Sequence, residues 1–101
     1  MAFFEALGSS GLAVFHEVLA HIPENRIVIS DAKRGDINTT AEHYKKSFFD
    51  QFHVDAITLN PLMGFETLHA FTKDETKGIY VLALTSNPGA DDFLKKPFEG
   101  F

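Results

Sequence analysis

Apolar positions recur along this chain in two spacings, three-and-four in some stretches and side by side in others. Between residues 9 and 22, Leu12, Phe15, Leu19 and Ile22 fall on one helical stripe, with Ser9 or Ser10 placed to cap it. Pro23-Glu24-Asn25 ends that helix. The β-branched run at residues 26–30 predicts a strand buried on both faces. A second helix is expected over about residues 40–51, with Tyr44, Phe48 and Phe52 on its apolar side and Thr39 and Glu42 spaced as a capping box at its start. His53-Val54-Asp55 turns into a second strand at residues 56–59. Asn60-Pro61-Leu62-Met63-Gly64 reads as the loop after it, because proline cannot continue a central ladder. Residues 65–73 predict a third helix, residues 79–84 a third strand, and Ser86-Asn87-Pro88-Gly89 the loop that follows. Residues 1–8 read as the tail of a strand or the loop behind it.

Strands that start near residues 26, 56 and 79, with helices between them and no hairpin signal, predict parallel pairing through crossover helices. The class is therefore α/β, either a doubly wound sheet or a (β/α)8 barrel. No Gly-x-Gly-x-x-Gly and no P-loop follows any strand, which removes the main support for a nucleotide-binding open sheet. Each strand instead ends on polar residues: Asp31 and Lys33, then Asn60, then Ser86. Polar groups delivered by successive strand ends build the mouth of a barrel. A closed barrel takes roughly 250 residues, so residues 1–101 are expected to form one partial domain, about three βα units of a (β/α)8 TIM barrel. Both termini look cut from something longer, since the chain starts on an aromatic pair and stops on Phe98 and Phe101 in what reads as a loop.

Composition narrows the partners. The chain is 45% hydrophobic and 23% charged, as in a folded water-soluble domain. A net charge of -5 offers no basic stripe to neutralise phosphates, so neither nucleic acid nor an anionic membrane surface is expected as a partner. No apolar run approaches the roughly 20 residues of a membrane span, and the N-terminus lacks the pattern of a signal peptide. Without cysteine there is no disulfide framework and no thiolate metal site, which fits a cytoplasmic protein.

Chemistry concentrates at Ser30-Asp31-Ala32-Lys33-Arg34-Gly35-Asp36-Ile37. Asp31 and Lys33 are two apart, so on a strand end they point to the same side. Asp36, three further on in the loop, could face back or reach a neighbouring subunit. Acid, base and acid are costly to gather at a strand end, because like charges and desolvation both oppose it, and such clusters persist where chemistry needs them. The plain alternative is a solvated turn that ends a strand and starts a helix. Other candidates are weaker. His16-Glu17 and His21 nearly spell a zinc helix, but the second histidine comes one position late, about 100° off the shared face. His43, His53 and His69 lack ligand spacing, and the eleven phenylalanines are expected on helix faces as core. Asp91-Asp92 suits the start of a helix.

Four stretches together carry a resemblance: residues 2–8, Asp31-Ala32-Lys33-Arg34-Gly35-Asp36-Ile37 with Thr40 and Tyr44, residues 55–61, and residues 85–90. In order and at βα spacing they resemble the orotidine 5′-phosphate decarboxylases, in particular the bacterial type 2 subgroup. The Asp-x-Lys-x-x-Asp core alone is shared more widely. The resemblance implies decarboxylation of orotidine 5′-monophosphate to UMP in pyrimidine biosynthesis, without metal or cofactor, by a homodimer. It implies that Asp31 and Asp36 belong to a charge network, with Asp36 entering the partner's site, and that Lys33 is the proton donor. Ile37 and Thr40 would then touch the partner's bound nucleotide, and Ser86 the pyrimidine ring. The family pattern also needs a lysine on a strand before residue 2 and phosphate-binding loops with an arginine beyond residue 101, so this chain alone is expected to be inactive. Two rivals stand beside it. A magnesium-dependent sugar-phosphate decarboxylase or synthase of the same superfamily would want an acidic residue just before Asp31, where Val28-Ile29-Ser30 has none. An inactive, truncated half-barrel is the other.

Overall fold

In a computed structural model that describes residues 1–98, three parallel strands form one sheet in the order β1-β2-β3. The centre is β2 (Ala56–Leu59), flanked by β1 (Ile29–Arg34) and β3 (Gly78–Val81). Ala56 to Leu59 lie opposite Gly78 to Val81, residue for residue, while Ile29 and Ser30 lie opposite Ala56 and Ile57. The central place falls to the strand whose four residues include the fully buried Ile57 and Leu59. Two short helices precede the sheet, α1 (Ala2–Glu5) and α2 (Gly8–His21). From β1 the chain returns through α3 (Asn38–Lys45), which continues as a π-helical segment Lys46–Gln51. From β2 it returns through a 3-10 turn, Phe65–Leu68, that runs into α4 (His69–Thr72). Parallel neighbours require such crossovers, because their ends lie at opposite edges.

The helices cover one face of the sheet. Val54, Ile57 and Leu59 are fully buried there with Phe48, Phe49, Leu68 and Phe71. The π-helical widening lets two adjacent aromatics serve different neighbours. Phe48 meets Phe52, ring centres 5.9 Å apart, and Phe52 meets Phe15 of α2 at 4.7 Å. Phe49 instead meets Phe71 of α4 edge-on at 5.7 Å, a geometry favoured by aromatic quadrupoles. Phe4 extends the first series by packing on Phe15 at 5.0 Å, so α1 leans on α2. Gly11 permits that contact, since a Cβ there would lie 1.8 Å from the Phe4 carbonyl oxygen.

The opposite face stands open. Ile29, Asp31, Lys33, Thr58 and Tyr80 lie on it, and Tyr80 is 55% exposed. The expectation of a first strand buried on both faces is therefore corrected: β1 alternates, with Ser30 and Ala32 inward and Ile29, Asp31 and Lys33 outward. Its boundary moves too. A turn closed by the Arg26 N–H on the Pro23 carbonyl occupies the early part of the run, and Ile27 is 80% exposed. The ladder starts where β2 offers partners, so the charged stretch lies inside the strand.

Elsewhere the elements match with local differences. Residues 2–5 are helical, not a strand tail. The capping box does not form: α3 starts at Asn38 behind Ile37 with no side-chain cap, and Glu42 instead accepts from Lys73 Nζ at 3.0 Å. β3 ends at Val81, three residues early, and the acids at 91–92 close a 3-10 turn, Pro88–Asp91, rather than open a helix. Among the described residues no helix is long and apolar enough to cross a membrane.

Candidate active site

Where β1 meets the end of β2, the two strands fall out of step. Ser30 lies opposite Ile57 and Arg34 opposite Leu59, so three residues of β1 span a gap that one residue, Thr58, fills on β2. Such a bulge bends a strand and re-aims its side chains. At its last residue, Lys33, φ is 52°, in the left-handed region that costs a non-glycine residue on the order of 1–3 kcal/mol. Side-chain bonds fill the interrupted ladder. The Lys33 N–H donates to Thr58 Oγ1 at 2.9 Å, the Thr58 hydroxyl donates to Asp31 Oδ1 at 2.9 Å, and Lys33 Nζ donates to that same oxygen at 2.6 Å. Lys33, Thr58 and Asp31 thus close a ring across two strands.

The ring sets the charge state. The Lys33 ammonium, and after it the Thr58 hydroxyl, hold the Asp31 carboxyl below its ordinary 3.8, against a small opposing effect of desolvation. Both side chains are half or more exposed, at 50% for Lys33 and 63% for Asp31, so solvent screens the pair. What the arrangement supplies is a placed ammonium beside a carboxylate on an open face, not stability.

Neighbouring residues anchor this end of the sheet. Arg34 donates to the Ala32 carbonyl at 2.7 Å and to Glu5 at 2.6 Å, and lies over the Tyr44 and Phe48 rings at 5.6 and 5.4 Å. It ties α1 and α3 to the strand. The Asn60 N–H donates to the Arg34 carbonyl at 2.8 Å, and at Gly35 an added Cβ would lie 2.9 Å from the Asn60 carbonyl oxygen. Only glycine lets the two strand ends approach so closely.

The remaining sequence candidates are dispersed. Asp36 accepts from the Ile37 N–H at 2.7 Å and makes no bond to Lys33 among the described residues. Ile37 and Thr40 are exposed at the start of α3. Ser86 sits in an exposed bend beyond β3, next to Thr85, whose hydroxyl bonds Asn87 at 2.6 Å. Thr85, rather than Ser86, lines a cavity of about 680 Å³ with Asn60, Pro61, Leu62 and Leu82. Asp31, Lys33 and Thr58 are not among the residues that line that apolar cavity. No three His, Asp or Glu side chains converge as a metal site among the described residues. His16 is exposed, and its ring lies 4.6 Å from that of Phe52. Sequence reasoning passed over Thr58 and Arg34. The signal for Thr58 was a hydroxyl inside an otherwise apolar four-residue strand.

A family model described as orotidine 5′-phosphate decarboxylase / HUMPS family matches residues 1–99. The chain belongs to this family. A Herpetosiphon aurantiacus orotidine 5′-phosphate decarboxylase is 49% identical over 92 residues, covering 91% of this chain and 34% of the relative. One from Dehalococcoides mccartyi is 42% identical over 102 residues, covering 99% and 38%. A structure of the Leishmania donovani OMP decarboxylase superposes with a TM-score of 0.93 at 39% identity, over 98% of this chain and 40% of that one. The chain spans little more than a third of the orotidine 5′-phosphate decarboxylases it matches. Its three parallel strands are βα units of their barrel, and the open sheet face corresponds to the barrel interior.

Proposed function

We propose that this chain carries the proton-donating core of an orotidine 5′-phosphate decarboxylase, with Lys33 as the acid. The observation that carries the reading is the Lys33 ammonium, held 2.6 Å from Asp31 by a strand bulge on the face that lines the barrel. In the reaction the bond from C6 of the pyrimidine to its carboxylate breaks, CO2 leaves, and the electron pair stays on C6. Lys33 stabilises that developing charge and transfers a proton to C6, and its amine recovers a proton from solvent. Asp31 holds the ammonium in place through the 2.6 Å bond from Nζ to its Oδ1. Its Oδ1 holds the lysine and threonine, and Oδ2 accepts no bond from the described residues, which leaves it to face the substrate carboxylate. Binding of the substrate phosphate by the remainder of a barrel supplies energy spent at the reacting carbon.

A homodimer is part of the same reading. Half-buried Asp36 and exposed Ile37 and Thr40 lie on the run into α3, where a second barrel can use them. Asp36 then completes its partner's charge network, Ile37 and Thr40 contact the nucleotide there, and Ser86 contacts the ring. A cytoplasmic location belongs to the same reading, which the lack of cysteine fits.

The test is a chimaera in which this chain replaces the matching third of the Herpetosiphon aurantiacus relative. Loss of orotate absorbance from orotidine 5′-monophosphate is expected with the chimaera, and none with the 101-residue chain alone. An inert but folded chimaera sinks the reading and makes a sugar phosphate with magnesium the next substrate to try.

A further inference from the structure

We infer that Thr58 is a positioning residue for Lys33: its hydroxyl, set between the Lys33 N–H and the Asp31 carboxylate, holds the bulge that aims the ammonium. The inference deepens the decarboxylase reading and rests on it for its catalytic meaning. The bulge leaves the Lys33 N–H without a ladder partner, and the Thr58 hydroxyl takes that place at 2.9 Å. A hydroxyl can accept and donate at once. Thr58 uses both capacities, donating a hydrogen bond to the oxygen of Asp31 that also accepts from Lys33 Nζ. The backbone and the tip of one lysine are therefore referred to a single atom on the neighbouring strand. Valine matches the shape but neither donates nor accepts, serine keeps both bonds with a freer rotor, and the β-branched threonine is stiff about χ1. Were Thr58 merely filling a strand position, its hydroxyl would have no reason to meet both ends of Lys33's attachment.

The groups facing Asp31 on this surface are Lys33 on its own strand, Thr58 on β2, and more weakly the ammonium of Met1. Tyr80, opposite Thr58 on β3, is the next titratable side chain across the sheet.

The experiment uses the 101-residue chain and its Thr58→Val and Thr58→Ser variants. Carbon-detected NMR follows the Asp31 carboxyl through an acid titration, amide exchange follows Lys33, and circular dichroism follows folding. In Thr58→Val the Asp31 midpoint is expected to move up towards its ordinary value and the Lys33 amide to exchange at least roughly tenfold faster, as a broken bond allows. Thr58→Ser is expected to keep both near wild type. An unchanged midpoint and exchange rate in a folded Thr58→Val chain overturn the inference, as does a Thr58→Ser chain that behaves like Thr58→Val. Should Thr58→Val not fold, the serine variant decides alone: retained values support the inference and lost values overturn it. None of these readouts requires turnover, so failure of the decarboxylase reading shows separately, in the chimaera assay.

Discussion

On the function proposed above, Lys33 matters to chemistry and hardly at all to stability. Its ion pair with Asp31 is exposed and screened, and exposed pairs contribute about 0–1 kcal/mol. In urea unfolding at pH 7, Lys33→Ala is expected to change the stability of the chain by no more than roughly 1 kcal/mol. In the chimaera the same change is expected to lower decarboxylation at least roughly 10²-fold, the usual scale for removing a general acid. The pH dependence follows from the lowered Asp31 carboxyl. A carboxyl lowered on folding contributes above its unfolded value, near 3.8, and loses that contribution as pH falls through the lower folded value. The pair is thus intact at neutral pH and fails only in acid. Gly35 is the opposite case, a residue with no chemistry whose absence of a side chain is structural. Gly35→Ala drives a methyl against the Asn60 backbone and is expected to destabilise by about 1–3 kcal/mol, read as a lower urea midpoint.

Elements are held here by a few residues that face two ways. The π-helical stretch carries Phe48 towards Phe52 and Arg34, and Phe49 towards Phe71. Phe71→Ala is expected to cost on the order of 3–5 kcal/mol. That is a large part of what a chain of this size has, so its circular dichroism at 25 °C is expected to show a partly unfolded population. Arg34 does for α1 what the aromatics do for α3 and α4. Lysine cannot reproduce its planar fork or its stacking over Tyr44 and Phe48. In Arg34→Lys, amide exchange is expected to rise at residues 5–7, which close on α1, and to stay near wild type in β2.

At the scale of the whole molecule, three strands do not enclose their own interior. The radius of gyration is 15.3 Å, against about 13 Å for a compact chain of 100 residues. Ile29 and Tyr80 stand exposed on the face that lines a barrel, and among the described residues β1 and β3 each keep an unpaired edge. Such edges template association with other chains. Sedimentation velocity is expected to show self-association that grows with concentration, and Val81→Lys on the β3 edge is expected to reduce it. A chain that stays monomeric at high concentration would contradict this account of the open face.

Local sequence determined the order of elements from α2 to β3, the position of β2 and the shared side of Asp31 and Lys33, because spacing along one strand or one helix is a local property. The shared side of Asp31 and Lys33 followed from their separation of two, and the family from four short stretches in order. Where β1 begins was not legible: a β-branched run favours a strand, but ladder bonds form only where a neighbouring strand lies in register, and β2 supplied that register from Ile29 onward. Glu42 was likewise a local partner for Thr39 until Lys73, distant in sequence, was brought beside it. The bulge, the left-handed backbone of Lys33 and the part played by Thr58 depend on two strands meeting out of step. No single stretch contains that mismatch, so only the tertiary structure decided how the lysine is aimed.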